Sequence, residues 1–265
     1  MKKTYQHFVP RFILRNFLGP KSYRIFDKQN KVFLKKGASN SMGKKLFYEH
    51  NYFKSNEIED LLAQRESNYA PIIRKIIDSK EISKEEFNIL LEFRHVSYYR
   101  SNEVNGFYGF RTSRGPDDWM DRWDWRSLNG ITGPDYEKQH KLAQLKAIKS
   151  VIANDEGLGN VVRKLSRMTP ICFVFTSKGK KFIIGDNGSL SLGGELDGVV
   201  IIVLSPDHAL MFPKITKACE VMAKYGMKLN EEQHRIIYED IDDEGVDVVN
   251  NKMIARSFEY YVDPN

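Results

Sequence analysis

The sequence predicts an α+β fold, with a helical middle and a mainly antiparallel sheet built from an N-terminal hairpin and late strands. Three observations carry this. Apolar residues recur at helical spacing through the middle of the chain, from Ile58 to Met168. Runs rich in β-branched and aromatic residues lie early, around Tyr23–Leu34, and again from Ile171 onward. The two kinds of segment are grouped instead of alternating, which favours α+β over a parallel α/β sheet. The 265 residues are expected to form a single domain, with a peripheral insertion at 102–134.

The opening stretch organises the rest. Tyr5 to Phe17 is expected as a turn followed by a short buried helix, with Pro10 at its first position. Phe12, Ile13 and Phe17 give an apolar stripe, and Gly19-Pro20 stops it. His7 stands just ahead of this helix. Arg11 and Arg15 are four apart and share a face. A histidine and two arginines on one short element fit an anion site. The plainer alternative has His7 capping the helix and the arginines as surface charges.

Tyr23 to Leu34 is expected as a hairpin around Lys28-Gln29-Asn30-Lys31, and Ser39 to Tyr52 as a loop. Asn56 is expected to cap a helix that Pro71 kinks or divides. Ser83 and Glu86 have the spacing of a capping box and start a helix to about Arg100. Gly106 to Pro134 holds all three tryptophans and is expected to be a long loop. Helices follow over Tyr136–Ala153 and Asn160–Met168. Strands follow at Ile171–Thr176, Lys181–Ile184, Val199–Leu204 and His208–Phe212. A helix over Asp243–Arg256 and a strand over Phe258–Val262 close the chain.

Composition narrows the class. Hydrophobic residues make up 41%, enough for a core. The net charge of +6 admits a nucleic-acid partner without requiring one. Two cysteines, Cys172 and Cys219, leave no disulfide framework and point to the cytoplasm. No apolar run approaches the roughly 18 residues of a membrane span, so no membrane partner is expected.

Familiar catalytic signatures fail. The glycines of Gly37 to Gly43 are six apart, and Lys45 stands where a P-loop needs Ser or Thr. Gly157-Leu158-Gly159 lacks the third glycine of a dinucleotide fingerprint. No Cys-x-x-Cys, His-Glu-x-x-His or Gly-x-Ser-x-Gly occurs. What remains is Gly185-Asp186-Asn187-Gly188. There a strand delivers an acid and an amide into a glycine-flanked turn that can approach a ligand closely. The plainer alternative is an Asx-turn closing a hairpin. Arg100 ends a second basic cluster with Arg94 and His95, at a helix C-terminus that suits positive charge.

His7-x-Val9-Pro10 followed by Leu14-Arg15-x-Phe17 resembles the opening motif of the domain-of-unknown-function family 4238. The likeness continues through the hairpin Tyr23 to Leu34, Leu46-Phe47-Tyr48, Ile58-Glu59 and Arg65-Glu66 to Ala70-Pro71. It resumes at Phe182 to Asn187, Leu204 to Leu210 and Asn250-Asn251. It spans nearly the whole chain apart from roughly Asn102 to Pro134. Gly185 and Gly188 stand where the family has Ser and Pro. The resemblance implies a mostly bacterial protein and directs attention to His7, Arg15, Glu66, Arg100, Asp186 and Asn187. It supplies no established chemistry.

A site of this composition suits phosphodiester chemistry. Arginines bind phosphate and stabilise its developing charge. The expected phosphate ligands are Arg11, Arg15 and Arg100. His7 is the expected general base, because an unperturbed histidine titrates near pH 6.5. Asp186 or Glu66 is expected to orient it or share a divalent metal, and Asn187 is counted with them as catalytic. The expected function is a nucleic-acid-directed hydrolase serving as a toxin or phage-defence effector. The alternatives are a non-catalytic module for nucleic acid or a nucleotide-like anion, and a scaffold whose polar motifs only tie the N-terminus to the late strands.

Overall fold

The structure is a computed structural model. It describes residues 5–17, 23–37, 39, 41–48, 51–100, 134–168, 170–192, 199–224, 226–227, 234–257 and 260–264. The expected insertion at 102–134, with its tryptophans, lies outside them apart from Pro134.

The chain opens with β1 (Tyr5–His7) and α1 (Arg11–Asn16). The hairpin β2 (Tyr23–Asp27) and β3 (Val32–Lys36) follows, then β4 (Gly43–Lys45). Asp27 shapes the hairpin turn by accepting from the N–H groups of Gln29 and Asn30 at 3.0 Å each. β4 lies within the stretch expected as a loop. It pairs antiparallel with β1, so the chain doubles back on its own start.

Among the described residues, four helices form the middle: α2 (Glu57–Ile77), α3 (Lys84–Arg100), α4 (Pro134–Ala153) and α5 (Asp155–Met168). The capping box forms, with Glu86 N–H donating to Ser83 Oγ at 3.2 Å and Ser83 N–H to Glu86 Oε2 at 2.9 Å. Pro71 does not divide α2, which runs on as one element with Pro71 on its exposed side. There water can serve the carbonyl left without a donor. Asn56 precedes α2 in the left-handed region, φ 62°, and makes no side-chain cap bond.

The late strands are β5 (Ile171–Ser177), β6 (Ile184–Gly185), β7 (Leu190–Leu192), β8 (Val199–Ser205) and β9 (His208–Phe212). Then come α6 (Ile215–Lys224), β10 (Arg235–Ile241), α7 (Asp243–Arg256) and β11 (Tyr260–Asp263). The strand expected at Lys181–Ile184 shrinks to β6. Its earlier backbone is bonded elsewhere: Phe182 N–H donates to Pro206 O at 2.7 Å, and Ile183 N–H to Asn250 Oδ1 at 2.8 Å.

Besides the two-stranded β1-β4 pair, the described strands sort into a four-stranded antiparallel sheet, β3-β2-β11-β6, and a five-stranded sheet, β10-β5-β9-β8-β7. The first is built from the N-terminal hairpin and late strands. The second is antiparallel except for β10, which runs parallel to β5. The Gly185–Gly188 turn does not close a hairpin. It links β6 in one sheet to β7 in the other. The larger of two apolar clusters among the described residues takes side chains from the N-terminal strap, the helices and both larger sheets, from Phe8 to Val262, and a smaller one joins Ile171, Phe173, Met222 and Ile237. Asn250 on α7 holds the segment before β6 on both sides, its Nδ2 donating to Lys181 O at 2.9 Å.

Candidate functional site

The opening motif and the Asp-Asn turn meet in the interior. Gly188 has φ +70°, and its N–H donates to Gly185 O at 3.0 Å. A Cβ there would lie 3.4 Å from Val9 Cγ2 and 3.8 Å from Phe8 O. The strap after His7 therefore packs directly on the turn after Asp186. Asn16 fixes the other end of α1, with Nδ2 donating to Leu204 O at 2.8 Å.

His7 is 4% exposed. Its main-chain carbonyl accepts from Arg100 Nε at 3.1 Å, Arg100 Nη2 at 2.7 Å and Tyr48 OH at 3.2 Å. Arg100 Nη1 pairs with Glu66. Every nitrogen of the guanidinium is thus engaged. Burial opposes the charge on Arg100, but the Glu66 carboxylate beside it holds the group protonated above its usual range. Burial pushes the Tyr48 phenol upward. Gln6, fully buried, adds a bond from Tyr48 N–H to its Oε1 at 2.6 Å. Arg100 is placed as a clamp from α3 to the strap and to α2. The neighbour of Glu66, Arg65, ties α2 to the carbonyl of Ile152 at 2.9 Å and to Glu92 at 3.2 Å.

Asp186 and Asn187 are completely buried. Asp186 Oδ2 accepts from Tyr260 N–H at 3.2 Å, and its own N–H donates to Tyr260 O at 3.0 Å. The acid thereby fixes the start of β11. Asn187 is different, since neither its Oδ1 nor its Nδ2 has a hydrogen-bond partner among the described residues. Its Oδ1 would be 2.9 Å from a Cβ on Gly185, and Ser257 Oγ only 2.0 Å. Glycine is required at 185 because the end of α7 fills that space.

Arg11 and Arg15 stand outside this lock. Both are exposed on α1 and form no ion pair or hydrogen bond among the described residues. Arg94 and His95 are buried next to Arg100 in sequence. Burial, and then the charge of Arg94, lowers His95 to about 4 and keeps it neutral.

A cavity of about 10 Å³ lies between strap, α3 and turn, walled by Val9, Ile13, Phe93, Ser97, Arg100 and Gly188. It has room for about one water molecule. Among the described residues no group of three or more His, Cys, Asp or Glu is placed to hold a metal ion. None of the described helices is long and apolar enough to cross a membrane.

The motif residues therefore divide into a buried lock (His7 carbonyl, Glu66, Arg100, Asp186) and exposed cations (Arg11, Arg15). Tyr48, Gln6 and Ser257 belong to the lock and were not singled out as site residues from sequence. The available signal was a polar Gln6 inside an apolar stretch. Fold and lock define an α+β protein, its described strands in three sheets, whose strap from β1 to α1 is bolted into the core. The chain belongs to DUF4238, a family of proteins of unknown function, whose model matches residues 5–262. No curated protein and no solved structure shows a significant match.

Proposed function

We propose that this protein is a non-catalytic nucleic-acid-binding module and that its first fifty residues supply the contact surface. The observation that carries this is the placement of charge. Those fifty residues hold twelve Lys and Arg against two Asp and Glu, a net of ten positive charges, so the other 215 residues are net negative by four. Lys28 is withdrawn from solvent to bond the carbonyls of Ile254 and Ser257 at the end of α7, at 2.9 and 2.5 Å. Arg11, Arg15, Arg24, Lys31, Lys35 and Lys45 are exposed. Positive charge concentrated in one stretch of the chain attracts polyanions, and binding them releases their counterions.

The logarithm of the affinity for RNA or DNA should fall linearly with log salt. The Arg11→Gln/Arg15→Gln pair should weaken binding and flatten that slope by about 1.4 on single strands, at about 0.7 per lost contact. An unchanged slope would remove α1 from the interface. A chain that binds neither RNA nor DNA at low salt would end the proposal.

The hydrolase reading shares the partner and adds turnover, as in a toxin or phage-defence effector. Its support is Asn187, an unpaired buried amide of a kind that calls for a bound group or a chemical role. On that reading His7→Gln lowers phosphodiester turnover about 10²–10⁴-fold with the fold intact. Equal turnover in wild type and variant removes it.

A further inference from the structure

We infer that the solvent face of the β3-β2-β11-β6 sheet is a stacking platform for the bases of single-stranded nucleic acid. This rests on the nucleic-acid reading and names the form of the ligand and the surface that takes it.

Side chains alternate between the faces of a sheet. Ile25, Val262 and Ile184 are side by side in register, at most 1% exposed, and face the core. Their neighbours Phe26, Phe33 and Tyr261 must face the other way. Phe33 is opposite Phe26, and Phe26 opposite Tyr261. The rings touch in a row across three strands, with centroids 5.0 and 5.1 Å apart. Phe33 is 48% exposed, an unusual place for a phenylalanine that serves only the core.

Cations stand beside these rings on the same face, with Asp263 in register opposite Arg24. Arg24 lies diagonal to Phe33 in the pairing and holds its guanidinium 4.2 Å from the ring centroid. Lys35, opposite Arg24, is exposed. Bases stack on aromatic rings and on guanidinium planes alike, while neighbouring cations follow the backbone. Base edges in a duplex are covered by pairing and its stacks are closed, so rings on an open sheet discriminate for single strands.

The competing occupant is a second copy of the chain, added edge to edge at β3. Lys31, Lys35 and Lys36 along that edge oppose it, because like charges would then face each other.

The test uses the full chain, a labelled oligouridine and a duplex of equal length, titrated over a range of salt. Phe33→Leu keeps apolar volume and removes the ring; Phe33→Ala is the second variant. Both should weaken single-strand binding roughly five- to hundredfold. Neither should change duplex binding or the salt slope, since no charge is lost. Arg24→Gln should weaken binding and flatten the slope together. Wild-type binding that Phe33→Leu and Phe33→Ala leave intact would overturn the platform and spare the nucleic-acid reading. No wild-type binding to either probe would overturn both. Sedimentation showing a dimer that Phe33→Leu dissociates would assign the face to a second copy and overturn the proposal.

Discussion

Arg100→Met should destabilise the protein by about 3–5 kcal/mol, the usual consequence of breaking a buried ion pair from one side. The substitution removes the bonds from Nε and Nη2 to the His7 carbonyl and the Nη1 pair with Glu66. Glu66, with a side chain 19% exposed, keeps its charge without a partner. The Tyr48 hydroxyl remains on the His7 carbonyl. The strap from β1 to α1 should loosen, and the Phe8 N–H, now bonded to Met42 O at 3.0 Å, should exchange faster with solvent. Adding Glu66→Leu should recover part of the loss, because the stranded carboxylate goes with it. Urea denaturation measures both. An Arg100→Met midpoint equal to wild type would mean that the clamp holds nothing.

Gly185→Ala should cost about 1–3 kcal/mol or more, as overpacking does. The new methyl would sit 2.0 Å from Ser257 Oγ and 3.2 Å from Ser257 Cβ. The hydroxyl can rotate away only by giving up its bond to Met253 O at 2.7 Å, and the Cβ contact stays. Since β6 pairs with β11 through Gly185 itself, the strand cannot slide to make room. Ser257→Gly removes the two Ser257 atoms, leaving Asn187 Oδ1 at 2.9 Å. The double variant should therefore be more stable than the sum of the two single changes implies, a coupling that a double-mutant cycle reads directly. Strict additivity would show that the residues do not compete for space.

Much of the fold was legible because local chemistry and tertiary demand agreed. The α7 boundaries follow from Asp242 capping Gly245 N–H at 2.8 Å and an acidic first turn. The hairpin β2–β3 follows from its polar turn. Elements that depend on distant partners were not legible. β4 is three residues whose only reason to be extended is β1. β10 has one buried residue, Ile237, and is held as an edge strand by its parallel partner β5, so its own pattern is weak. Ala218 and Met222 of α6 are buried four apart, a spacing too sparse to have marked a helix. Lys181–Ile183 has the composition of a strand, but Asn250 and Pro206 take its N–H groups.

The site divides in the same way. The motifs point to His7, Glu66, Arg100 and Asp186, but not to Gln6, Tyr48 or Ser257, and not to how any of them is held. His7 acts in the lock through its carbonyl, which no side-chain reasoning can foresee. Arg100 looked like a phosphate ligand because nothing in the sequence shows Glu66 and the strap closing around it. The aromatic row was hidden because Phe26, Phe33 and Tyr261 become neighbours only when β11 returns to the hairpin.

Ultraviolet crosslinking of a single-stranded oligouridine to the intact protein, with the adducts mapped by mass spectrometry, tests most directly whether the ligand meets the surface or the buried motif. The account predicts adducts on Phe33, Phe26 or Tyr261, lost at high salt and absent with duplex. Adducts on His7 or on the Gly185–Gly188 turn would contradict it and return the motif to the ligand.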